Sequence, residues 1–527
     1  MQIKFLIAAI LLIMCNHIHA QSSDKLQGTK VAGQLSYGIP NFEDPERVNK
    51  IKLTMQTVDR LMEQYAKTHH LPGMSYGILV DGVLIHKGSL GYADIAKKTK
   101  VSSSTMFRMA SMSKSFATMA ILRLRDESKL QLDDPAEKYI SILKNLQYPT
   151  SDSPKITIRD LMTHGAGFPE DNPWGDRQLA DTDSDFMKLL GDPLAFSTSP
   201  GTSYEYSNLG FALLGKIITV VSGSPYQKYV KDHILTPLGM AVSTYEYADI
   251  PPARLAHGYR WLNDEWSEET LLHDTPDGSW GAMGSLISSV DEFSKYLSAH
   301  MSAWPASSES DLGPIKRSSM REMHHPWRIN GMNAKYKFPN GKVCPSATAY
   351  CYGLNWLKDC EGKTYVGHSG GLPGFGSQWR FMPEYGIGIV SFANRTYAPM
   401  TYLNLEILDT IVHLAGLKER VLPESDILKH SRIALTEILP TWDISGKEAI
   451  FAENFFDDYP MFLLKDEAAQ IFKASGKIQS VSKVKPLNHL RGSFTMIGTS
   501  KDIEVFFTLS PEHPPKIQEL RLRNIEK

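Results

Sequence analysis

Hydrophobic and polar positions change their spacing at a few places along the chain, and each spacing predicts one kind of element. Residues 51–69 carry apolar side chains at helical spacing. Two apolar runs then fill residues 74–94, joined by Asp81 and Gly82, a pair that predicts a tight hairpin turn. A helix followed by a hairpin is typical of an α/β layer built on an antiparallel sheet.

A second helix is predicted by residues 116–124, which are apolar almost all round and should therefore be buried. This pattern ends within residues 126–135, where we expect Asp133, Asp134 and Pro135 to stop the helix. From there to about residue 330, short helical pieces alternate with loops rich in proline and glycine. The middle of the chain therefore predicts a helical insertion.

Strand-like apolar runs return at residues 352–359, 364–371 and 377–394, and a helical pattern follows at 403–417. The sheet should thus be built from both ends of one domain. We expect an α/β (α+β) fold in which an antiparallel sheet is flanked by helices and interrupted by the helical insertion.

The pattern changes beyond residue 420. One helical piece lies near residues 466–476, and three strand candidates follow it at 492–498, 502–509 and 516–523. This predicts a small C-terminal α+β domain with a meander sheet, in which we find no catalytic residues. We therefore divide the chain into residues 1–20, 21–420 and 421–527.

Residues 1–20 resemble a secretory signal peptide. Lys4 precedes an apolar run that ends at Cys15, and Ala20 is a small residue where a signal peptidase could cut. The run is short for a transmembrane span. We expect a secreted or periplasmic protein; lipid anchoring at Cys15 is the alternative, although Met14 stands where a lipoprotein signal has a small residue.

Charge excludes some partners. Lysine and arginine total 56 against 58 acidic residues, so the net charge of -2 gives no general attraction to nucleic acid or to anionic membranes. No later run has the length of a membrane span. The histidine doublets at 69–70 and 324–325 lack partners at metal-ligand spacing, so we expect no metal and no cofactor. The sequence leaves the oligomeric state open.

Three cysteines remain in the predicted mature chain. Export would expose them to an oxidising compartment, where two could pair. Cys344 and Cys351 flank the short segment 345–350, which we interpret as a loop, so we expect these two to pair and Cys360 to stay free.

The first candidate for chemistry is Ser111, which stands three residues before Lys114 at the head of the predicted buried helix. This spacing puts both side chains on one helical face, with the amine within reach of the hydroxyl. Burial lowers the pKa of a lysine toward the range where it accepts a proton, which makes the pair a candidate nucleophile and base. Alternatively, Ser111 only caps the helix and Lys114 reaches solvent. The bare motif also begins at four other serines: Ser22, Ser141, Ser480 and Ser482.

Two further motifs supply what an acyl-transfer site would still lack. Tyr-Ser-Asn at 206–208 directly precedes another apolar helix, and His-Ser-Gly at 368–370 ends a predicted strand. In this order and context, the three motifs resemble those of the penicillin-recognising serine hydrolases, which include class C β-lactamases, DD-carboxypeptidases, D-aminopeptidases and related esterases. The resemblance covers about residues 50–415 and implies the β-lactamase/transpeptidase-like fold.

The resemblance implies a role for each matching residue. Ser111 would attack a carbonyl to form an acyl-enzyme, and Lys114 and Tyr206 would share the general-base and general-acid duties. Which of these two takes the first proton stays open. Asn208 would hold Lys114 and the substrate amide. The backbone N–H groups of Ser111 and Gly371 would form the oxyanion hole.

One position departs from the β-lactamase pattern. Those enzymes usually carry lysine where this chain has His368, ahead of Ser369, Gly370 and Gly371, which would line the substrate. Histidine ordinarily titrates near pH 6.5 and is mostly neutral at pH 7, so it attracts a substrate carboxylate weakly. We expect weak or absent β-lactam hydrolysis, with small esters, amides or D-amino-acid peptides as substrates, and partial charging of His368 as the pH falls toward 6.

Two rival interpretations remain. Residues 367–371 also match G-x-S-x-G, the nucleophile elbow of α/β-hydrolases, with Ser369 as nucleophile. That elbow requires a helix directly after the strand, whereas a proline, glycines and strand-like aromatic residues follow here. The other rival is a non-catalytic penicillin-binding sensor on the same fold, in which Ser111 is at most acylated without turnover.

Overall fold

The computed structural model describes residues 38–272, 276–311, 313–338 and 341–526. The predicted signal peptide, residues 1–20, lies outside these residues. The chain divides into two compact units, one formed by residues 41–421 and the other containing the C-terminal part from residue 422 onward.

The larger unit is built on a nine-stranded antiparallel sheet with the strand order β3-β2-β1-β13-β12-β11-β10-β9-β8. Four short strands form two small pairs beside it, β4 with β7 and β5 with β6. The strands of the unit are β1 (Gly73–Val80), β2 (Val83–Asp94), β3 (Thr99–Lys100), β4 (Phe107–Arg108), β5 (Tyr259–Leu262), β6 (Glu265–Glu268), β7 (Ile287–Ser288), β8 (Arg328–Asn333), β9 (Ser346–Tyr350), β10 (Asn355–Asp359), β11 (Thr364–Leu372), β12 (Phe375–Met382) and β13 (Ile387–Ala393).

Helices cover both faces of this sheet. Its central strands are buried on both sides: Val390 and Phe392 of β13 face one apolar core, and Ile387 and Ile389 face another. The helices of the unit are α1 (Arg47–Leu53), α2 (Met55–Thr68), α3 (Lys114–Asp126), α4 (Ile158–Met162), α5 (Asp183–Gly191), α6 (Asn208–Ser222), α7 (Tyr226–Val230), α8 (Gly281–Gly284), α9 (Val290–Ser302), α10 (Arg317–Met323) and α11 (Met400–Leu414).

The first core contains residues of α3, α6 and α9, and the second contains residues of α1, α2 and α11. The predicted fold class is confirmed, with an antiparallel sheet, flanking helices and a helical insertion between β4 and β8.

Three predictions from the sequence can be compared directly with the structure. The hairpin turn is confirmed, because Asp81 and Gly82 both adopt positive φ, 49° and 80°, between β1 and β2. The helix predicted over 51–69 is two helices that meet at Thr54. The helix after Ser111 ends at Asp126, before the residues predicted to stop it, because Ser128 turns the chain with φ 60°.

The predicted cysteine pairing is wrong. Cys344 bonds to Cys360, with 5.5 Å between their Cα atoms, and Cys351 is free and buried. The segment between Cys344 and Cys351 is strand β9 rather than a loop, and an extended strand holds its two ends apart. Strand β10 pairs with β9 and ends opposite its start, which brings Cys360 beside Cys344.

The C-terminal unit contains the predicted α+β pattern together with elements that were not predicted from the sequence. A five-stranded antiparallel sheet has the order β14-β16-β17-β18, with β15 also paired to β16. Its apolar core is formed within the unit, by alternate residues of β16 and β17 and by the helices. The elements are α12 (Asp426–Ile438), α13 (Phe455–Asp458), α14 (Met461–Ser475), β14 (Ile478–Val481), β15 (Lys485–Asn488), β16 (Arg491–Gly498), β17 (Asp502–Leu509) and β18 (Ile517–Ile525).

Among the described residues, no single helix is both long enough and apolar enough to cross a membrane; the bent pair Asn208–Ser222 and Tyr226–Leu235 meets that length and composition only together.

Candidate active site

Ser111 lies in a tight turn that two hydrogen bonds tie to other parts of the chain. It belongs to a 3-10 turn, residues 110–113, that leads directly into α3. Before it, Met109 donates its N–H to Leu286 O (2.9 Å) and accepts a hydrogen bond from Ser377 Oγ (2.7 Å). Ala110 has φ 52°, a strained conformation for a residue with a side chain. The turn therefore fixes the direction of the Ser111 hydroxyl.

Lys114 is the first residue of α3, and it is fully buried. Its Nζ lies 3.0 Å from Ser111 Oγ, 2.6 Å from Asn208 Oδ1 and 2.9 Å from Met283 O. An ammonium donates to all three oxygens. A neutral amine donates to the two carbonyl oxygens and leaves its lone pair to accept the Ser111 proton. Both protonation states therefore satisfy the same three contacts.

Burial also sets how readily Lys114 loses its proton. Desolvation lowers the pKa of Lys114 to about 7, although the carboxylates of Asp176 and Asp171 oppose the shift. Burial raises the pKa of each of these carboxyl groups in turn. A substantial fraction of the Lys114 side chains is thus neutral near pH 7.

Tyr206 is partly buried beside the same pair. Its ring centre lies 4.9 Å from Lys114 Nζ, and its phenol has the Ser111 hydroxyl as a hydrogen-bonding partner. Desolvation raises the pKa of Tyr206 well above its usual value. The phenol is therefore protonated at neutral pH and can donate a proton, while Lys114 is the group able to accept one.

Asn208 is held in place at the N-terminus of α6. Ser207 caps this helix, and the Asp171 carboxylate accepts hydrogen bonds from the N–H groups of Asn208 (2.6 Å) and Leu209 (2.8 Å). The Asn208 amide donates to Asn172 Oδ1 (2.7 Å). With its Nδ2 so occupied, Asn208 presents Oδ1 to Lys114.

Strand β11 forms the opposite wall with residues 368–371. Gly370 packs directly on the turn that carries Ser111: a Cβ added there would lie 2.3 Å from Met109 O and 2.9 Å from Ala110 Cβ. Because real Cβ atoms do not approach backbone this closely, only glycine fits. Gly371 lies next along the same strand, where the sequence prediction places an oxyanion-hole donor.

The His368 side chain is buried, and both of its ring nitrogens are hydrogen-bonded. It is 2% exposed, its Nδ1 donates to Ser369 O (2.5 Å), and its Nε2 accepts a hydrogen bond from Tyr350 (2.9 Å). Burial lowers the pKa of His368 to about 3. The expectation that His368 becomes charged as the pH falls toward 6 is therefore wrong, because the buried ring is neutral throughout that range.

Ser111 and β11 border an open cleft with a volume of about 490 Å³. Its lining residues are Ser111, Asn172, Pro173, Asp176, Tyr204, Tyr206, Asn355, His368, Ser369, Gly370, Gly371 and Tyr397. Six of the eight residues selected from the sequence line the cleft. The other two, Lys114 and Asn208, lie behind its wall, where they contact Ser111 and Asn172. Ser111 has the base beside it, while Ser369 lies inside a strand.

The nucleophile elbow proposed for Ser369 is not formed. Strand β11 continues to Leu372 and turns at residues 373–374 into strand β12, so no helix follows the serine. Ser369 also pairs with Gln378 in the middle of the β11–β12 ladder. The α/β-hydrolase alternative is therefore wrong.

Sequence patterns missed five residues that shape the site: His164, Asp171, Asp176, Tyr350 and Tyr397. Tyr350 holds His368, and the His164 ring accepts the Ser207 N–H (3.0 Å) and contacts Tyr206, with ring centres 4.2 Å apart. These residues lie outside the three motifs, so the motifs alone do not identify them. Only the folded chain brings them to Ser111.

Within the described parts of the chain, no group of three or more histidine, cysteine, aspartate or glutamate side chains could hold a metal ion. The chemistry that this arrangement supports is nucleophilic: a hydroxyl with a buried amine as its base and a phenol as a proton donor.

The chain is similar to several known proteins. A family model described as Beta-lactamase matches residues 58–411. Protein flp of Staphylococcus aureus (strain MW2) is 28% identical over 367 residues, which cover 68% of this chain and 67% of flp. Beta-lactamase-like protein 2 of Dictyostelium discoideum is 29% identical over 277 residues, 50% of this chain and 49% of that protein.

Two solved structures share the fold. The octameric penicillin-binding protein homologue from Pyrococcus abyssi superposes with a TM-score of 0.56 at 21% identity, covering 90% of this chain and 96% of that one. A penicillin binding protein from Bacillus halodurans gives a TM-score of 0.53 at 23% identity, covering 66% of this chain and 98% of that one.

Proposed function

Since the chain belongs to the Beta-lactamase family, we propose that it is a serine hydrolase that works through an acyl-enzyme on Ser111. Its substrates would be small esters, amides or D-amino-acid peptides, and its hydrolysis of β-lactams would be weak or absent. A shared fold does not define an activity, so the proposal depends on the site. The observation that carries it is the buried Lys114 amine 3.0 Å from the Ser111 hydroxyl.

In the acylation step, Ser111 Oγ forms a bond to the substrate carbonyl carbon and passes its proton to the neutral amine of Lys114. The raised pKa of Tyr206 supports Lys114 as the first base, because the phenol already holds its proton. The backbone N–H groups of Ser111 and Gly371 would stabilise the oxyanion. In comparable sites each such donor lowers the activation barrier by about 3 to 4 kcal/mol.

Collapse of the tetrahedral intermediate then expels the alcohol or amine, which needs a proton. Tyr206 would supply it, since its phenol borders the cleft and has Ser111 as a hydrogen-bonding partner. The phenol would then take back a proton from the Lys114 ammonium, whose Nζ lies 4.9 Å from the centre of the Tyr206 ring. For deacylation the same groups would work in reverse, with water attacking the acyl carbon and Ser111 as the leaving group.

Substrate selection would follow from His368. A neutral imidazole whose two nitrogens are already hydrogen-bonded offers no charge to a substrate carboxylate. Penicillins and cephalosporins carry such a carboxylate, so they would lose the attraction that a lysine provides in β-lactamases. We also propose that the protein is exported, as the pattern of residues 1–20 indicates.

The test combines a covalent probe with serine substitutions. A fluorophosphonate should label the peptide that contains Ser111, and Ser111→Ala should lower kcat on an uncharged p-nitrophenyl ester by several orders of magnitude. Ser480→Ala is the matched control, since Ser480 also begins a Ser-x-x-Lys motif but is exposed on β14. If Ser111→Ala keeps its rate, the proposal is wrong; labelling without turnover on any ester or amide would instead indicate the penicillin-binding sensor.

A further inference from the structure

The cleft has an uneven distribution of charge. Among its described lining residues, Asp176 is the one carboxylate, and neither lysine nor arginine is present. His368 is neutral, so it does not compensate for this carboxylate. A substrate entering the cleft thus meets a negative group without a permanent positive one.

The position of Asp176 relative to the reacting atoms follows from Tyr397. The Tyr397 hydroxyl donates to Asp176 Oδ2 (3.0 Å). The ring of the same tyrosine lies against Gly371, since a Cβ added to Gly371 would be 2.9 Å from Tyr397 Cδ1. The Tyr397 side chain therefore connects Asp176 to the strand edge where the scissile carbonyl would bind. A group recognised by this carboxylate belongs close to that carbonyl.

Asp176 is 2% exposed, and a buried carboxylate is costly unless it is paired. In the part of the chain that the structure describes, its hydrogen bond comes from Tyr397, and the ion pairs do not include it. Lys114 is near enough to influence its charge, but the Lys114 amine makes its three hydrogen bonds with other residues. Asp176 thus retains the capacity to bind a cation in the cleft.

We propose that Asp176 binds an ammonium group that the substrate carries beside its scissile carbonyl, so that the enzyme prefers esters or amides with a free α-amino group. The inference rests on the proposed function and narrows its substrate class. The ammonium would donate to the Asp176 carboxylate, which makes no ion pair among the described residues although Lys114 and Arg177 are near enough to lower its pKa. Lys114 does not oppose this binding in its reactive state, because the base must be neutral to accept the Ser111 proton.

The experiment compares two substrates of the same shape. Alanine methyl ester, as each enantiomer, carries an ammonium at pH 7 because α-amino groups have a pKa of about 7.7 to 8.0. Methyl isobutyrate replaces that ammonium by a methyl group. The readout is the ratio of kcat/KM for the cationic ester to kcat/KM for the neutral one. Any effect that acts through Lys114 changes both rates alike and cancels in the ratio.

For the wild type we expect a ratio above one with at least one enantiomer. Asp176→Asn should lower that ratio roughly ten- to hundredfold, the loss expected for a hydrogen-bonded charge pair. Asp176→Glu, which keeps the charge, should retain part of the preference. Asp192→Asn is the matched control, since Asp192 is exposed outside the cleft, and it should leave the ratio unchanged.

A wild-type preference for methyl isobutyrate over both enantiomers would overturn the inference without any variant having to fold. An unchanged ratio in Asp176→Asn would overturn it too, and Asp176 would then act only on the acid–base chemistry of Lys114. The Ser111→Ala variant tests the proposed function separately from the role of Asp176. If this variant still hydrolyses both esters, the proposed function fails. If it loses both rates, the proposed function holds, and the ratio of the two rates in the wild type and in Asp176→Asn tests the role of Asp176.

Discussion

Single residues in this site differ from their counterparts in water mainly because they are buried. Lys114 is costly to charge and Tyr206 is costly to deprotonate, for the same reason. Desolvation thus separates a lysine and a tyrosine, whose ordinary pKa values are nearly equal, into a base and an acid. The sequence could indicate which side chains meet, but this division of roles depends on how deeply each one is buried.

The first prediction concerns the pH dependence of hydrolysis. Because acylation needs neutral Lys114, whose pKa burial lowers to about 7, kcat/KM on an uncharged ester should rise about tenfold per pH unit below 7 and level off above it. Asp176→Asn removes a negative charge that raises the pKa of Lys114, so the rise should move to lower pH. Initial rates between pH 5 and 9 measure both; a flat wild-type profile across pH 7 would contradict the role of Lys114.

The second prediction concerns His368. His368→Lys would add a longer side chain whose amine is charged where it reaches the open cleft, and a hydrogen-bonded ion pair with a substrate carboxylate contributes roughly 1 to 3 kcal/mol. We expect kcat/KM for a cephalosporin to rise about ten- to hundredfold relative to an uncharged ester. His368→Gln, which stays neutral, is the matched control and should give no such gain. Equal effects of both variants on the two substrates would show that residue 368 only packs.

At the scale of elements, the site depends on the close contact between β11 and the turn that carries Ser111. Gly370 touches this turn, and Ser377 of the paired strand β12 bonds to it. Neither contact is visible in the sequence, because more than 250 residues separate Met109 from Ser377. The strand and the helix could each be predicted locally, whereas their mutual fit could not.

The third prediction tests this contact. Gly370→Ala would put a methyl group 2.3 Å from the backbone oxygen of Met109, so β11 and the turn must separate. We expect kcat/KM to fall at least about a hundredfold, because small displacements of reacting groups cost that much. Gly210→Ala is the control: its added Cβ would meet nothing closer than 3.7 Å, and alanine favours the helix. A fully active Gly370→Ala enzyme would mean that β11 does not position Ser111.

At the scale of the whole molecule, strongly periodic segments were the predictable part. The β1–β2 hairpin, strand β11, helix α11 and the three main C-terminal strands follow from local patterns. The single apolar run predicted at 377–394 is two strands, β12 and β13. Strands β8 and β9 were not predicted, because their segments 328–333 and 346–350 lack a long apolar run and only the neighbouring strand defines them. The wrong cysteine pairing has this same cause, since it depended on interpreting a strand as a loop.

The last prediction is that the exported protein contains the disulfide that the structure shows. Disulfides persist in oxidising compartments, and one that closes a loop of this size contributes about 3 kcal/mol to the free energy of unfolding. In protein recovered from cells that export it, we expect a mature chain that begins near Gln21 and contains the Cys344–Cys360 bond. Non-reducing peptide mapping and intact mass measure both, and the Cys351→Ser variant should keep the bond, because Cys351 is buried and unpaired.

The same chain expressed without residues 1–20 in a reducing cytosol is the control for compartment. It should contain Cys344 and Cys360 as thiols and unfold more easily than the exported form, since the loop between them is then unconstrained. Cys351 should resist alkylation in both folded forms, because burial raises the pKa of its thiol and excludes the reagent. A retained Met1, a lipid on Cys15 or a bond between Cys344 and Cys351 in the exported protein would each contradict this account.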